Sequence, residues 1–266
     1  MSIYINFYNI LPTGRAFISD TSNREFPPWI LKNIRLRLSN ISVKEKMEMK
    51  KPKALCDYTS KIFDAHSEFG EMLNCLTNAL EAFDIVAYHN TRLCEPRKII
   101  DNGLIFSDER YISSLREDMN ACRIPGKLIE EVIAKVKKEI DRWGTSSNNR
   151  RDQVCFYFDL DYSMEFDKFF YTYGGEFVEF GLSEEEKYKD VISMGKPYIV
   201  EFVIPFASIN IFEKMDIARY MLEEWIHLDI RKDETNHAYA AFVNFEIPPQ
   251  NIIQLYDLES LPNPNA

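Results

Sequence analysis

Apolar side chains return at three- and four-residue spacing along the first third of the chain, at Ile62, Phe63, Phe69, Met72, Leu73, Leu76 and Leu80. That spacing gathers them on one helical face and predicts a helix over residues 55–82. With Asp84 at the break, the helix runs into Ile85-Val86-Ala87, a short apolar run that fits a buried strand. The run stops at a polar cluster, Tyr88-His89-Asn90-Thr91-Arg92. Polar groups at the end of a buried strand need partners, so such clusters often line a cleft. A short helix follows, and Gly103 reads as its stop, with Ile99, Ile100 and Leu104 packing back on the sheet. The helical pattern then continues to about residue 143, punctuated at Ile124-Pro125-Gly126. Leu128, Val132, Ile133 and Val136 share a face there, with Lys135, Lys137 and Lys138 on the wetter sides.

Past a Gly144–Arg151 loop the period shortens. Val154-Cys155-Phe156-Tyr157-Phe158 is a short aromatic run, and Phe177-Val178-Glu179-Phe180 alternates. Tyr198 to Ile204 alternates less cleanly and ends at Pro205, and residues 238–245 end in Glu246-Ile247-Pro248-Pro249. These four segments and a last one from Ile252 to Tyr256 predict strands, with a helix over about 214–228 before the fourth. A strand, several helices and then strands without regular helical alternation predict an α+β fold, not a doubly wound parallel sheet. The domain expectation is a mostly helical accessory layer over residues 1–80, a main domain over 81–260 and a flexible tail at 261–266. Within the accessory layer, residues 2–9 fit a strand, Pro27-Pro28 breaks the chain, and residues 29–38 mix both periods.

Composition narrows the class. The 266 residues are enough for a full core, and 45% hydrophobic with 28% charged residues is ordinary for a water-soluble protein. No run approaches the length of a membrane helix, and the first residues lack the pattern of a secretory signal. Five cysteines, an odd number with no Cys-x-x-Cys pair, disfavour a disulfide framework and a zinc site. The expectation is a cytoplasmic protein without a metal. A net charge of −10 argues against broad non-specific binding to nucleic acid. Basic residues do cluster locally, at Lys44, Lys46, Lys50, Lys51 and Lys53 and at Arg142, Arg150 and Arg151. They read either as solvated faces or as a rim that contacts phosphates.

Two clusters could carry chemistry. In Tyr88-His89-Asn90-Thr91-Arg92 an imidazole can bridge a sugar hydroxyl and a backbone group, and Arg92 could face a pyrophosphate. The alternative is a capped loop with a satisfied histidine. In Tyr171-Thr172-Tyr173-Gly174-Gly175-Glu176 the glycines permit close backbone approach and a tyrosine face can stack on a ring. The alternative there is a helix end followed by an exposed glutamate. No Gly-x-Gly-x-x-Gly follows the first strand, and neither a P-loop nor a Gly-x-Ser-x-Gly motif is present.

In order along the chain, these segments resemble the ADP-ribosyltransferase superfamily of the His–Tyr–Glu type. Tyr-His-x-Thr-Arg…Ile-x-x-Gly-Leu, from Tyr88 to Leu104, is similar to that family's first strand and helix. Phe156-Tyr157-Phe158, followed by Tyr162-Ser163-Met164, resembles the second core strand of the DarT group of nucleic-acid-modifying ADP-ribosyltransferases. Ile247-Pro248-Pro249-x-x-Ile252 resembles its closing strands. The resemblance spans residues 85–256 and leaves residues 1–80 uncovered.

The resemblance implies a split mixed or antiparallel sheet with flanking helices, extended by the N-terminal layer. It implies NAD as substrate, held by Tyr88, His89, Asn90, Thr91 and Arg92, with His89 on the adenosine ribose and Tyr157, Tyr171 or Tyr173 stacked on nicotinamide. It implies a toxin or phage-defence effector that modifies a macromolecular acceptor, nucleic acid before protein, and an antitoxin partner. The chain departs from the pattern at one place. The family's catalytic glutamate aligns with Ala240 or Ala241, and neither alanine can steady an oxocarbenium-like transition state. Either Glu176 or Glu246 supplies the carboxylate, or the chain is a naturally inactive homologue, or one alanine is an inactivating substitution.

Overall fold

The described residues mix helices with one sheet, an α+β architecture. The computed structural model describes residues 4–5, 67–144, 150–158, 160, 163, 176–182, 186–210, 213–220 and 240–260. The 29–38 segment, the Lys44–Lys53 tract, Tyr171, Tyr173 and the 261–266 tail lie outside the described residues. Two compact units form, each from two stretches of chain: Met1–Val86 with Ile204–Ala241, and Ala87–Val203 with Phe242–Ala266.

In the first unit, helix α1 (Ser67–Leu80) buries Leu76 and Leu80 completely, two of the positions its periodicity marks. Strand β1 (Tyr4–Ile5) runs parallel to the start of β2 (Asp84–Leu93), Ile5 beside Ile85. Residues 213–220 are helical and bury Ile217, Ala218 and Tyr220. Asn210 caps that helix by accepting from the Glu213 N–H at 3.0 Å. Lys214, only 7% exposed, reaches Glu81 at 2.7 Å, so its charge is paired where burial would otherwise penalise it.

The second unit carries most of the sheet, in the order β5-β3-β2-β4-β6. Here β3 is Val154–Tyr157, β4 Lys196–Pro205, β5 Ala240–Val243 and β6 Ile252–Asp257. Strands β2 and β3 pair antiparallel with Tyr88 opposite Tyr157, and β4 pairs antiparallel with β6 through a bulge at Glu201/Phe202. Phe156 meets Phe158 and Phe202 edge to face, with ring centroids 5.4 and 5.9 Å away, so the aromatic run forms the core of the sheet. Helices α2 (Arg97–Asn102), α3 (Glu109–Ala121) and α4 (Gly126–Gly144) follow β2. The α4 face of Ile129, Val132, Ile133, Val136 and Ile140 packs with Ile112, Leu115 and Met119 of α3. Each such side chain contributes about 1.5–3 kcal/mol on burial.

Three expectations are corrected. Phe177–Phe180 is helical, part of α5 (Glu176–Leu182), and not a strand. Phe177, Val178 and Leu182 are buried against α4, and Gly181 sits beside the Lys135 and Val136 backbone. Positions 177, 178, 181 and 182 lie on one helical face, a longer pattern than the four-residue alternation. The polar cluster after Ala87 does not follow the strand but belongs to it, because β2 runs on to Leu93. Ile100 is 54% exposed, so Leu104, at 5%, carries the inward packing beyond α2.

Gly103 does stop α2. Its N–H reaches the Ile99 carbonyl at 2.8 Å, and its φ is +76°. A Cβ there would stand 1.9 Å from the Ile247 carbonyl oxygen, so both conformation and space require glycine. Leu104 and Ile247 exchange backbone hydrogen bonds at 2.9 and 3.0 Å, which ties α2 to the segment before β6. Among the described residues, no helix is long and apolar enough to cross a membrane.

Candidate functional site

A cavity of about 780 Å³ opens in the second unit between the end of β2, the start of β3, and helices α2 and α3. His89 to Cys94 form one wall, and Tyr111, Ser114 and Asp118 of α3 form another. Its size suits a nucleotide-scale ligand.

Along β2 the side chains of His89, Asn90 and Arg92 each find a backbone carbonyl. His89 Nδ1 lies 2.8 Å from the Cys155 carbonyl oxygen, which can only accept, so Nδ1 carries a proton. The buried Asn90 donates from Nδ2 to the Ser163 carbonyl at 3.2 Å. Arg92 donates to three consecutive carbonyls, Ser193 at 2.9 Å, Met194 at 3.2 Å and Gly195 at 2.5 Å. Burial lowers its guanidinium pKa, with Glu259 and Cys94 acting in the opposite sense. Arg92 thus fixes the turn between α6 (Lys189–Ile192) and β4.

The α3 wall carries a charge cluster. Lys98 reaches Asp118 at 2.7 Å, and Glu117 and the Ser114 hydroxyl each at 3.2 Å. Burial alone would lower the Lys98 ammonium, but its bonds to Asp118 and Glu117 outweigh it and hold the pKa above the usual value. At the start of α3, Asp108 caps the helix by accepting from the Arg110 N–H at 2.8 Å and the Tyr111 N–H at 3.4 Å. Arg110 also grips Glu246, whose carboxylate accepts from the Phe106 N–H at 3.0 Å. Burial pushes the Tyr111 phenol up, so it remains a neutral donor on the wall.

The structure gathers His89, Asn90, Thr91 and Arg92 on this one cavity. Tyr88 is buried at 3% exposure and, with Tyr157, belongs to the β2–β3 pairing. Glu176 begins α5. Ala240 is exposed at the start of β5, and Ala241 is buried at 2%. The cavity carboxylates among the described residues face cations: Asp118 and Glu117 meet Lys98, and Glu109 meets Lys137 at 2.9 Å. Of the expected basic rim, Arg142 pairs with Glu139 at 3.3 Å and Arg151 lies 3.8 Å from Asp152. Sequence reasoning missed Lys98, Tyr111, Ser114 and Asp118. The i, i+4 spacing of Ser114 and Asp118 placed them on one α3 face, but nothing local linked that face to Lys98.

Among the described residues there is no cluster of metal-ligating side chains. Comparison of the chain with protein-family models, with curated proteins and with solved structures finds no match.

Proposed function

We propose that the chain is an NAD-dependent ADP-ribosyltransferase that binds NAD in the cavity beside β2. The observation that carries this reading is His89: its ring is aimed by the Cys155 carbonyl and lines a cavity of about 780 Å³. In the family the chain resembles, the equivalent histidine holds the adenosine ribose. In this reading the His89 ring hydrogen-bonds a ribose hydroxyl, and the Tyr111 phenol supplies a donor across the cavity. The reaction breaks the bond between C1′ of the nicotinamide ribose and the pyridinium nitrogen, whose electron pair leaves with nicotinamide. A nucleophile of the acceptor then bonds to C1′ and loses its proton. The acceptor is a nucleic-acid base before a protein side chain, in a cytoplasmic toxin or phage-defence effector held in check by an antitoxin.

The carboxylate that steadies the oxocarbenium-like state comes from Glu176 or Glu246, or is replaced in this chain by Ala240 or Ala241. Glu246 already serves Arg110 and the Phe106 N–H, which favours the other candidates. A second reading, a non-catalytic module that kept the site, draws support from the pairing of the cavity carboxylates with lysines.

Incubation with labelled NAD and cell extract, with and without Ala240→Glu, separates the two. Ala240 is the better position for restoration because it is exposed, whereas a glutamate at the buried 241 would carry a desolvation cost. Label transfer, with nuclease or protease sensitivity identifying the acceptor, is the expected outcome. If no form transfers label and calorimetry detects no NAD binding, the transferase reading fails.

A further inference from the structure

We infer that Cys94 and Cys122 are a redox pair, a reversible disulfide site that joins two walls of the cavity. Their sulfurs stand 3.4 Å apart and both thiols are free. The two residues are 28 positions apart in sequence, so the contact is made by the tertiary fold and not by a turn. Cys94 follows the last residue of β2 and lines the cavity, and Cys122 is the C-cap of α3.

Both backbones are held. A Cβ on Gly195 would lie 2.6 Å from the Leu93 carbonyl carbon, so β2 ends in close backbone contact with the turn that Arg92 secures. The Cys122 N–H bonds to the Asp118 carbonyl at 2.9 Å, and Arg123 follows with φ +59°. A disulfide needs sulfurs about 2 Å apart. Rotation of the two side chains about χ1 is the motion that closes the remaining gap from 3.4 Å.

The two thiols differ in the way a redox pair needs. Cys122 is exposed and meets a small oxidant first, while Cys94 is half-buried. Burial, then the contact with Cys122 and the charge of Asp118, push the Cys94 thiol up, and its lower exposure makes it the second to react. With hydrogen peroxide as the oxidant, the Cys122 sulfur attacks one peroxide oxygen, the O–O bond breaks, and a sulfenic acid and one water result. The Cys94 sulfur attacks the Cys122 sulfur, the S–O bond breaks, and the departing hydroxide takes the Cys94 proton as a second water. Two thiols lose two electrons and two protons, and peroxide becomes two waters. A dithiol reductant restores both thiols by exchange. The pair does not depend on which ligand the cavity takes.

The test uses the full chain, reduced, desalted and treated with hydrogen peroxide, then trapped with an alkylating agent and mapped by mass spectrometry. The expected result is the loss of two alkylatable thiols, a Cys94–Cys122 linked peptide, a rise of several degrees in Tm, and reversal of all three by a dithiol. Cys122→Ser should abolish the link, and a Cys75→Ser/Cys155→Ser double variant should keep it. Cys94→Ser should leave Cys122 as a sulfenic acid that a dimedone probe captures. A link between any other pair, or two thiols still alkylatable in wild-type protein after peroxide, overturns the inference.

Discussion

The Nδ1 atom of His89 stands 2.8 Å from the carbonyl oxygen of Cys155, across 66 residues of sequence. Two neighbouring strands aim the ring, and the Tyr88–Tyr157 register sets the strands. The proton on Nδ1 is a property of the sheet, because a carbonyl can only accept.

His89→Ala should therefore separate ligand binding from folding. Calorimetric NAD affinity should fall at least tenfold, about 1.4 kcal/mol. Loss of one side-chain hydrogen bond to the backbone should cost about 0.5–1.5 kcal/mol of stability by urea unfolding. Unchanged NAD affinity would remove His89 from the site.

Arg92 lines the same cavity but holds the carbonyls of Ser193, Met194 and Gly195. Arg92→Met should cost stability, about 1.5–3 kcal/mol for lost charged hydrogen bonds. Arg92→Lys should recover only part of it, since an ammonium lacks the planar fork that spans consecutive carbonyls. A variant with native stability and weakened NAD binding would instead make Arg92 a pyrophosphate ligand.

At Gly103 positive φ and the Ile247 carbonyl act together. Gly103→Ala should destabilise by more than about 1 kcal/mol. Hydrogen exchange should rise first at the Leu104 and Ile247 amides. An alanine variant that unfolds at the wild-type denaturant midpoint would contradict the steric argument.

Asp108 gives the acid dependence a definite sign. Burial opposes its ionisation, but the bonds from Arg110 and the Tyr111 N–H prevail and hold its pKa below the ordinary 3.8. The folded state binds this proton less readily than the unfolded chain. The stabilisation is complete above about pH 4 and fades as pH falls through the folded-state value. Asp108→Ala should cost about 1 kcal/mol at neutral pH through the lost cap. It should also flatten the acid limb of stability measured by urea midpoints between pH 2 and 5. An acid limb as steep as wild type would assign that slope to other carboxylates.

Legibility in the sequence tracked how local the cause was. The α4 stripe was readable because Val132, Ile133 and Val136 repeat at the helical period within one turn. Gly103 was readable because a helix stop is chemistry within four residues. Phe177-Val178-Glu179-Phe180 misled because two apolar neighbours and Gly181 dock on α4, a surface some forty residues earlier in the chain. The polar β2 end misled for the opposite reason. Its side chains stay in the strand because carbonyls of Cys155, Ser163 and residues 193–195 come to meet them.

By itself the sequence determined the α+β class, the helices whose periodicity spans several turns, and the polar run from His89 to Arg92. Those follow from residue type and spacing along one stretch of backbone. Only the tertiary structure decided that Arg92 secures a turn, that Lys98 faces Asp118, and that Cys94 meets Cys122. Each of these is a contact between residues twenty or more positions apart, and it depends on strand register and helix docking, which no local pattern encodes.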